Sequence, residues 1–92
     1  MDAITLIGAM SVLSAGICIS IGGIGPGIGE GNAAASALRA IAQQPDEAST
    51  ITRTLFVAMA MVESTAIYAF VVTVLILYFN PFWNYAVEMA AK

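Results

Sequence analysis

What most constrains this chain is where its charges are absent. No acidic or basic residue occurs between Asp2 and Glu30, between Arg53 and Glu63, or between Glu63 and Glu88. Uncharged apolar runs of about 18 residues or more read as membrane-spanning helices. One carboxylate, Glu63, is thereby stranded inside an apolar segment. A bare charge at the centre of a bilayer costs at least about 2.5 to 3.5 kcal/mol even on the most lenient insertion scale. A carboxyl group kept there must be protonated, paired or holding a cation, which makes Glu63 the candidate ion carrier.

Composition excludes the main alternatives. With 60% hydrophobic and 10% charged residues the chain cannot present the surface of a soluble monomer. Only Arg39, Arg53 and Lys92 are available to meet phosphates, so no nucleic-acid partner is expected. There is no histidine, the commonest metal ligand and general base. Cys18 is the only cysteine and forms no intrachain disulfide; preceded by Ile17, it reads as a small apolar packing residue. A cleaved leader is not expected, because a basic first segment is missing and the run from Ala3 to Gly29 is too long.

The expected fold is all-α: an antiparallel two-helix transmembrane hairpin, one domain over residues 1–92. The first helix is placed at about 4–42, the loop at about 43–48, the second helix at about 49–78 and a tail at 79–92, with a short extra turn of helix. A first helix of that length spans about 58 Å against a hydrocarbon core of about 30 Å. The half bearing Glu30, Asn32, Ser36 and Arg39 is the one expected to reach water. Pro45 ends the first helix, Ser49 or Thr50 is the candidate N-cap of the second, and Asn80-Pro81 breaks it. Trp83 and Tyr85 read as interfacial aromatics. Arg39 and Arg53 flank the loop, which places it in the cytoplasm and both termini outside.

Gly23, Gly25, Gly27, Gly29 and Gly31 alternate through the first helix. In water each would cost about 1 kcal/mol relative to alanine, whereas in lipid glycine lets neighbouring helices approach closely. Gly23, Gly27 and Gly31 fall four apart on one stripe, with Gly25 and Gly29 on another roughly opposite. Small residues on both flanks suit a ring of identical copies. Pro26, within the run, removes one backbone donor and is expected to bend the helix.

Folding the chain about a point between Asp46 and Glu47 brings Glu30 and Glu63 to the same depth. Two carboxylates about 4 Å apart repel by about 4 kcal/mol at an effective dielectric of 20. The pair is therefore expected to share a proton or hold a cation. Ser64, Thr65 and Tyr68 add hydroxyls and Val62 a carbonyl; such hard oxygens suit either a small cation or a protonated carboxyl. Blander readings stand beside these. Glu30 can be a solvated acid, Ser64 and Thr65 can bond to the preceding turn, and Tyr68 can be ordinary packing.

The segments Gly23-Ile24-Gly25-Pro26-Gly27-Ile28-Gly29-Glu30-Gly31, Gln44-Pro45-Asp46, Val62-Glu63-Ser64-Thr65-Ala66-Ile67-Tyr68 and Asn80-Pro81-Phe82 together resemble the c subunit, the rotor-ring proteolipid, of rotary ATP synthases. The resemblance covers nearly the whole chain. It implies a non-catalytic, homo-oligomeric membrane ring of hairpins, in lipid, turning against the stator and its arginine, with no cofactor and with H+ or Na+ as the transported ion. It makes Glu63 the essential carboxylate, and Gln43, Gln44 and Pro45 the loop that docks on the central stalk. A sodium site of this family would fall on Glu30, Glu63, Val62, Ser64 and Tyr68, with Thr65 helping through water. Two departures matter. Glu30 stands where the sodium branch has glutamine, which resembles the N-type subgroup of bacterial rotary ATPases and tilts the expectation toward protons. Gln43 stands where most of the family has arginine. A holin-like pore-forming hairpin is the alternative from another class; a matched pair of internal acids is what it does not need.

Overall fold

The computed structural model describes residues 2–92. Helix α1 runs Ala3–Gln43, a 3-10 turn covers Pro45–Glu47, α2 runs Ala48–Tyr78 and α3 runs Pro81–Ala90. The helices lie side by side in a plank whose Cα atoms extend 70 × 18 × 9 Å. Both α1 and the α2–α3 segment are long and apolar enough to cross a membrane, and the chain is a membrane protein.

Small residues on α1 let α2 approach. The seam of α1 carries Gly8, Ser11, Ala15, Cys18, Gly22, Pro26 and Gly29, and along α2 the shielded positions include Leu55, Met59, Val62, Ala66, Ala69, Thr73 and Ile76. These positions recur every three or four residues, the helical repeat, and Ala15, Pro26 and Thr73 are buried. A β-carbon on Gly22 would lie 2.6 Å from Ala69 Cβ, so only glycine permits this approach. Two polar side chains use the same crossing. Thr73 Oγ1 donates to the Ala69 carbonyl at 2.8 Å, and Cys18 Sγ donates to that carbonyl at 3.4 Å. Pro26 is buried inside an α1 that continues unbroken through it.

The register is set by four close pairs: Gly29 with Val62, Gly22 with Ala69, Ser11 with Asn80 and Gly8 with Trp83. Each is symmetric about the point between Pro45 and Asp46, one residue earlier than the centre between Asp46 and Glu47. The shift follows from the turn. α1 continues to Gln43 and α2 begins at Ala48, so the helix ends themselves are symmetric about the earlier point. Ser49 and Thr50 already lie inside α2, whose N-cap is Glu47 without a side-chain bond. Pro45 presets the 3-10 turn, and its Glu47 amide donates to the Gln44 carbonyl at 3.0 Å, so the chain enters α2 without a hydroxyl cap.

The segment after α2 is a 10-residue helix rather than a short turn. Asn80 starts it, and Trp83 packs back over Gly8.

Almost nothing is enclosed. Among the described residues the buried apolar side chains are Ala15, Pro26 and Ala86, while Phe56, Met61, Tyr68 and Tyr78 are each at least 66% exposed. Side chains of that size are left bare only where lipid or another protein covers them.

Candidate ion-binding site

The site is built around one contact. A β-carbon on Gly29 would lie 3.2 Å from Val62 Cγ1, so these two residues face each other across the seam. Glu30 and Glu63 are the next residue on each helix. Each step along a helix turns by about 100°, and in antiparallel helices those two steps turn toward the same side. Both carboxylates therefore emerge on one broad face of the plank. Along the axis they are offset by about 3 Å, and laterally by one helix spacing of about 8–10 Å. Glu30 is half-buried and Glu63 is exposed on that face.

The other candidate ligands do not join them within one chain. Steps of about 100° from Val62 carry Thr65 and Tyr68 to the opposite broad face and Ser64 to the edge away from α1. Tyr68 is 68% exposed. Ser64 Oγ donates to the Ala60 carbonyl at 3.1 Å, the preceding-turn bond that a helical serine makes when nothing else claims it. The Val62 carbonyl lies inside unbroken α2. Among the described residues no three acidic or cysteine side chains cluster as a metal site. One hairpin thus presents two carboxylates on one face and the hydroxyls of Thr65 and Tyr68 on the other.

The glycines divide the same way. Gly29 serves the contact within the hairpin, whereas a β-carbon on Gly23, Gly25, Gly27 or Gly31 would meet nothing within 4 Å. Those four leave room for something outside the chain. The glycines that α2 and α3 press upon, Gly22 and Gly8, lie outside the alternating run; their signal is a spacing of small residues from Gly8 through Ser11, Ala15, Cys18 and Gly22. Gln43, Gln44 and Pro45 are exposed at the tip of the hairpin.

Known proteins with similar sequences belong to one family. Residues 13–76 match the family of the ATP synthase C subunit. The second ATP synthase c subunit of Cereibacter sphaeroides is 51% identical over 72 residues, which cover 78% of this chain and 87% of that one. The ATP synthase c subunit of Prochlorococcus marinus is 46% identical over 82 residues, 89% of this chain and 99% of its own. The second ATP synthase c subunit of Syntrophotalea carbinolica is 43% identical over 81 residues, 88% of this chain and 92% of its own. On the extent of the family match and the level of identity, this chain belongs to the ATP synthase C subunit family.

Proposed function

We propose that Glu63 carries a proton across the membrane, with Glu30 as its partner acid, as copies of this chain turn past a stator. Membership of the family makes the chain a non-catalytic rotor-ring subunit, and nothing in the fold favours the pore-forming alternative. The observation that carries the assignment of residues is the placement of Glu30 and Glu63 on one broad face by the Gly29–Val62 contact.

A ring completes what one hairpin leaves unfinished. If the acidic face of one copy packs on the opposite face of the next, Glu30 and Glu63 meet Tyr68, Thr65 and the Val62 turn of the neighbour. Such a head-to-tail contact uses two different surfaces and closes into a ring when its rotation allows. Gly23 and Gly27, bare in the hairpin, permit the approach. Within that interface a protonated Glu63 is neutral and can face lipid. Opposite the cationic arginine of the stator the ionised form is favoured, so the proton leaves there and is replaced on the far side. Gln43, Gln44 and Pro45 would meet the central stalk, with the loop in the cytoplasm and both termini outside the bacterial inner membrane.

Sodium is the second reading, favoured by the oxygen-rich set of Glu30, Glu63, Val62, Ser64 and Tyr68. Carbodiimide labelling of the purified oligomer across pH, with and without sodium, separates the two. The reagent needs a protonated acid. Labelling at Glu63 that follows pH and ignores sodium is expected; labelling slowed by sodium at fixed pH establishes a sodium carrier. No labelling at either glutamate overturns the ion-carrier assignment.

A further inference from the structure

We propose that Asn32 of each copy hydrogen-bonds Glu30 of the next, and so positions the second acid of the pair. The proposal rests on the ring reading above and adds to it a residue outside the ligand set named there.

Asn32 follows Glu30 by two residues. It therefore stands about 200° around α1 and about 3 Å further along it. Glu30 emerges on the acidic face, so Asn32 emerges on the face that carries Thr65 and Tyr68. Copies in a closed ring are related by rotation alone, so their α1 helices meet without a shift in depth. The contact that brings Tyr68 to the neighbour's Glu63 thus sets Asn32 against the neighbour's Glu30, offset by the same 3 Å or so. Gly27 and Ala34, a turn to either side of Glu30, hold the next α1 off by no more than a methyl group.

Asn32 lacks a partner in its own chain. Arg39 donates to Ser36 and Ser64 to Ala60, whereas Asn32 is exposed and bonds to nothing among the described residues. It lies about 10 Å from Arg39 toward the apolar run, where an unbonded amide is costly. On the side of α1 that the next copy's Asn32 meets, Gly23, Gly27, Ala34 and Leu38 have no polar side-chain atom to offer. Glu30 is left. An amide suits it in either state, because the N–H donates to an ionised carboxylate and Oδ1 accepts from a protonated one. Asn32 thereby keeps Glu30 turned to the interface while protons are exchanged on the pair.

The test uses rings in bilayers. In a Cys18→Ser background, Glu30→Cys with Asn32→Cys puts two thiols on opposite sides of one helix, where they cannot bridge each other. Oxidation is expected to give a ladder of covalent multimers. Infrared spectra of the ring in acid read the bond itself, and the carboxyl stretch missing from Glu30→Gln belongs to Glu30. That band is expected to shift up in frequency in Asn32→Leu, as a carboxyl losing a hydrogen bond does. It should stay in place in Asn32→Gln, which keeps the amide. Asn32→Ala, with a smaller side chain, is the second variant should leucine hinder assembly, and the same upward shift is expected. Intact rings without a ladder, or a ladder with the band unmoved in the assembled variant, overturn the bond and leave the ring standing. Monomers alone, from the parent chain as well, would overturn both.

Discussion

Asn80 Nδ2 donates to Ser11 Oγ at 2.7 Å, while the same side chain's Oδ1 accepts from the amides of Phe82 at 2.9 Å and Trp83 at 3.2 Å. One amide group thus caps α3 and ties the helix break to α1. Where water is scarce, backbone groups freed at a break must find partners in the protein, and Asn80 supplies them. Ser11 is the one neighbour at that depth on the α1 seam with an acceptor to offer.

The two halves of this arrangement are separable. Asn80→Ala removes the cap, which costs about 0.5–2 kcal/mol, and also the bond to Ser11, which is worth about 0.5–1.5 kcal/mol. Ser11→Ala removes only the second. Amide exchange at Phe82 and Trp83 is expected to accelerate strongly in Asn80→Ala and little in Ser11→Ala. Equal acceleration in both would mean that the tether, and not the cap, holds α3.

Glycine substitutions are expected to fall into two classes. Gly22→Ala drives a β-carbon to 2.6 Å from Ala69 Cβ, a backbone-borne atom with nowhere to turn. The helices must part, at a cost of about 1–3 kcal/mol. A β-carbon on Gly27 or Gly31 meets nothing within 4 Å in the hairpin, which leaves open space for Gly27→Val and Gly31→Val. These two should leave the helicity and thermal stability of the detergent-solubilised monomer unchanged. For Gly27→Val, on the edge of α1 turned away from α2 and toward the acidic side, the ring recovered on native gels is expected to be lost. Gly22→Ala should lower monomer stability itself.

The N-terminus of α1 carries the pH-sensitive cap. The Thr5 amide donates to Asp2 Oδ1 at 2.8 Å. That bond, with a smaller contribution from the Thr5 side chain, holds the Asp2 carboxyl below its ordinary value. A carboxyl lowered on folding contributes its stabilisation above its unfolded value and loses it as pH falls through the lowered one. The first turn of α1 should therefore fray in acid, seen as faster amide exchange at Thr5 relative to mid-helix amides after correction for intrinsic rates. Asp2→Asn keeps a capping oxygen without a titrating group and should abolish that pH dependence.

Much of this architecture is legible in the residues. Charge-free runs on either side of Glu63 demand apolar helices, and Pro45 and Asn80-Pro81 place their ends. A turn centred on Asp46 and Glu47 puts the register one residue late, because those acids mark the turn chemically while the helix ends mark it geometrically. The close contacts are hidden for a related reason. The dense run Gly23 to Gly31 draws the eye, yet apart from Gly29 its glycines meet nothing within the chain. The sparser Gly8 and Gly22 serve the seam, and only the register says which residue of α2 each will meet. Ser49 and Thr50 look like caps by type, but a proline-led 3-10 turn makes a cap unnecessary. The split of the ligand set across two faces follows from spacing alone once Val62 is known to face α1.

Replacing each acid in turn tests what the pair contributes. Glu63→Gln keeps shape and hydrogen bonding but can neither release nor reload a proton. Ion-driven transport and carbodiimide labelling at that position are expected to fall to background while the ring still assembles. Glu30→Gln should behave differently, because Glu63 remains to carry the ion. On the proposed reading, the second acid offers a competing proton a further carboxylate, whereas with one acid a sodium ion has only Glu63 to neutralise. Sodium should therefore protect Glu63 from the reagent in Glu30→Gln at about tenfold lower concentration than in the parent, equivalent to about 1.4 kcal/mol. Protection unchanged by the substitution would mean that Glu30 is a solvated acid on that face and that Glu63 works alone.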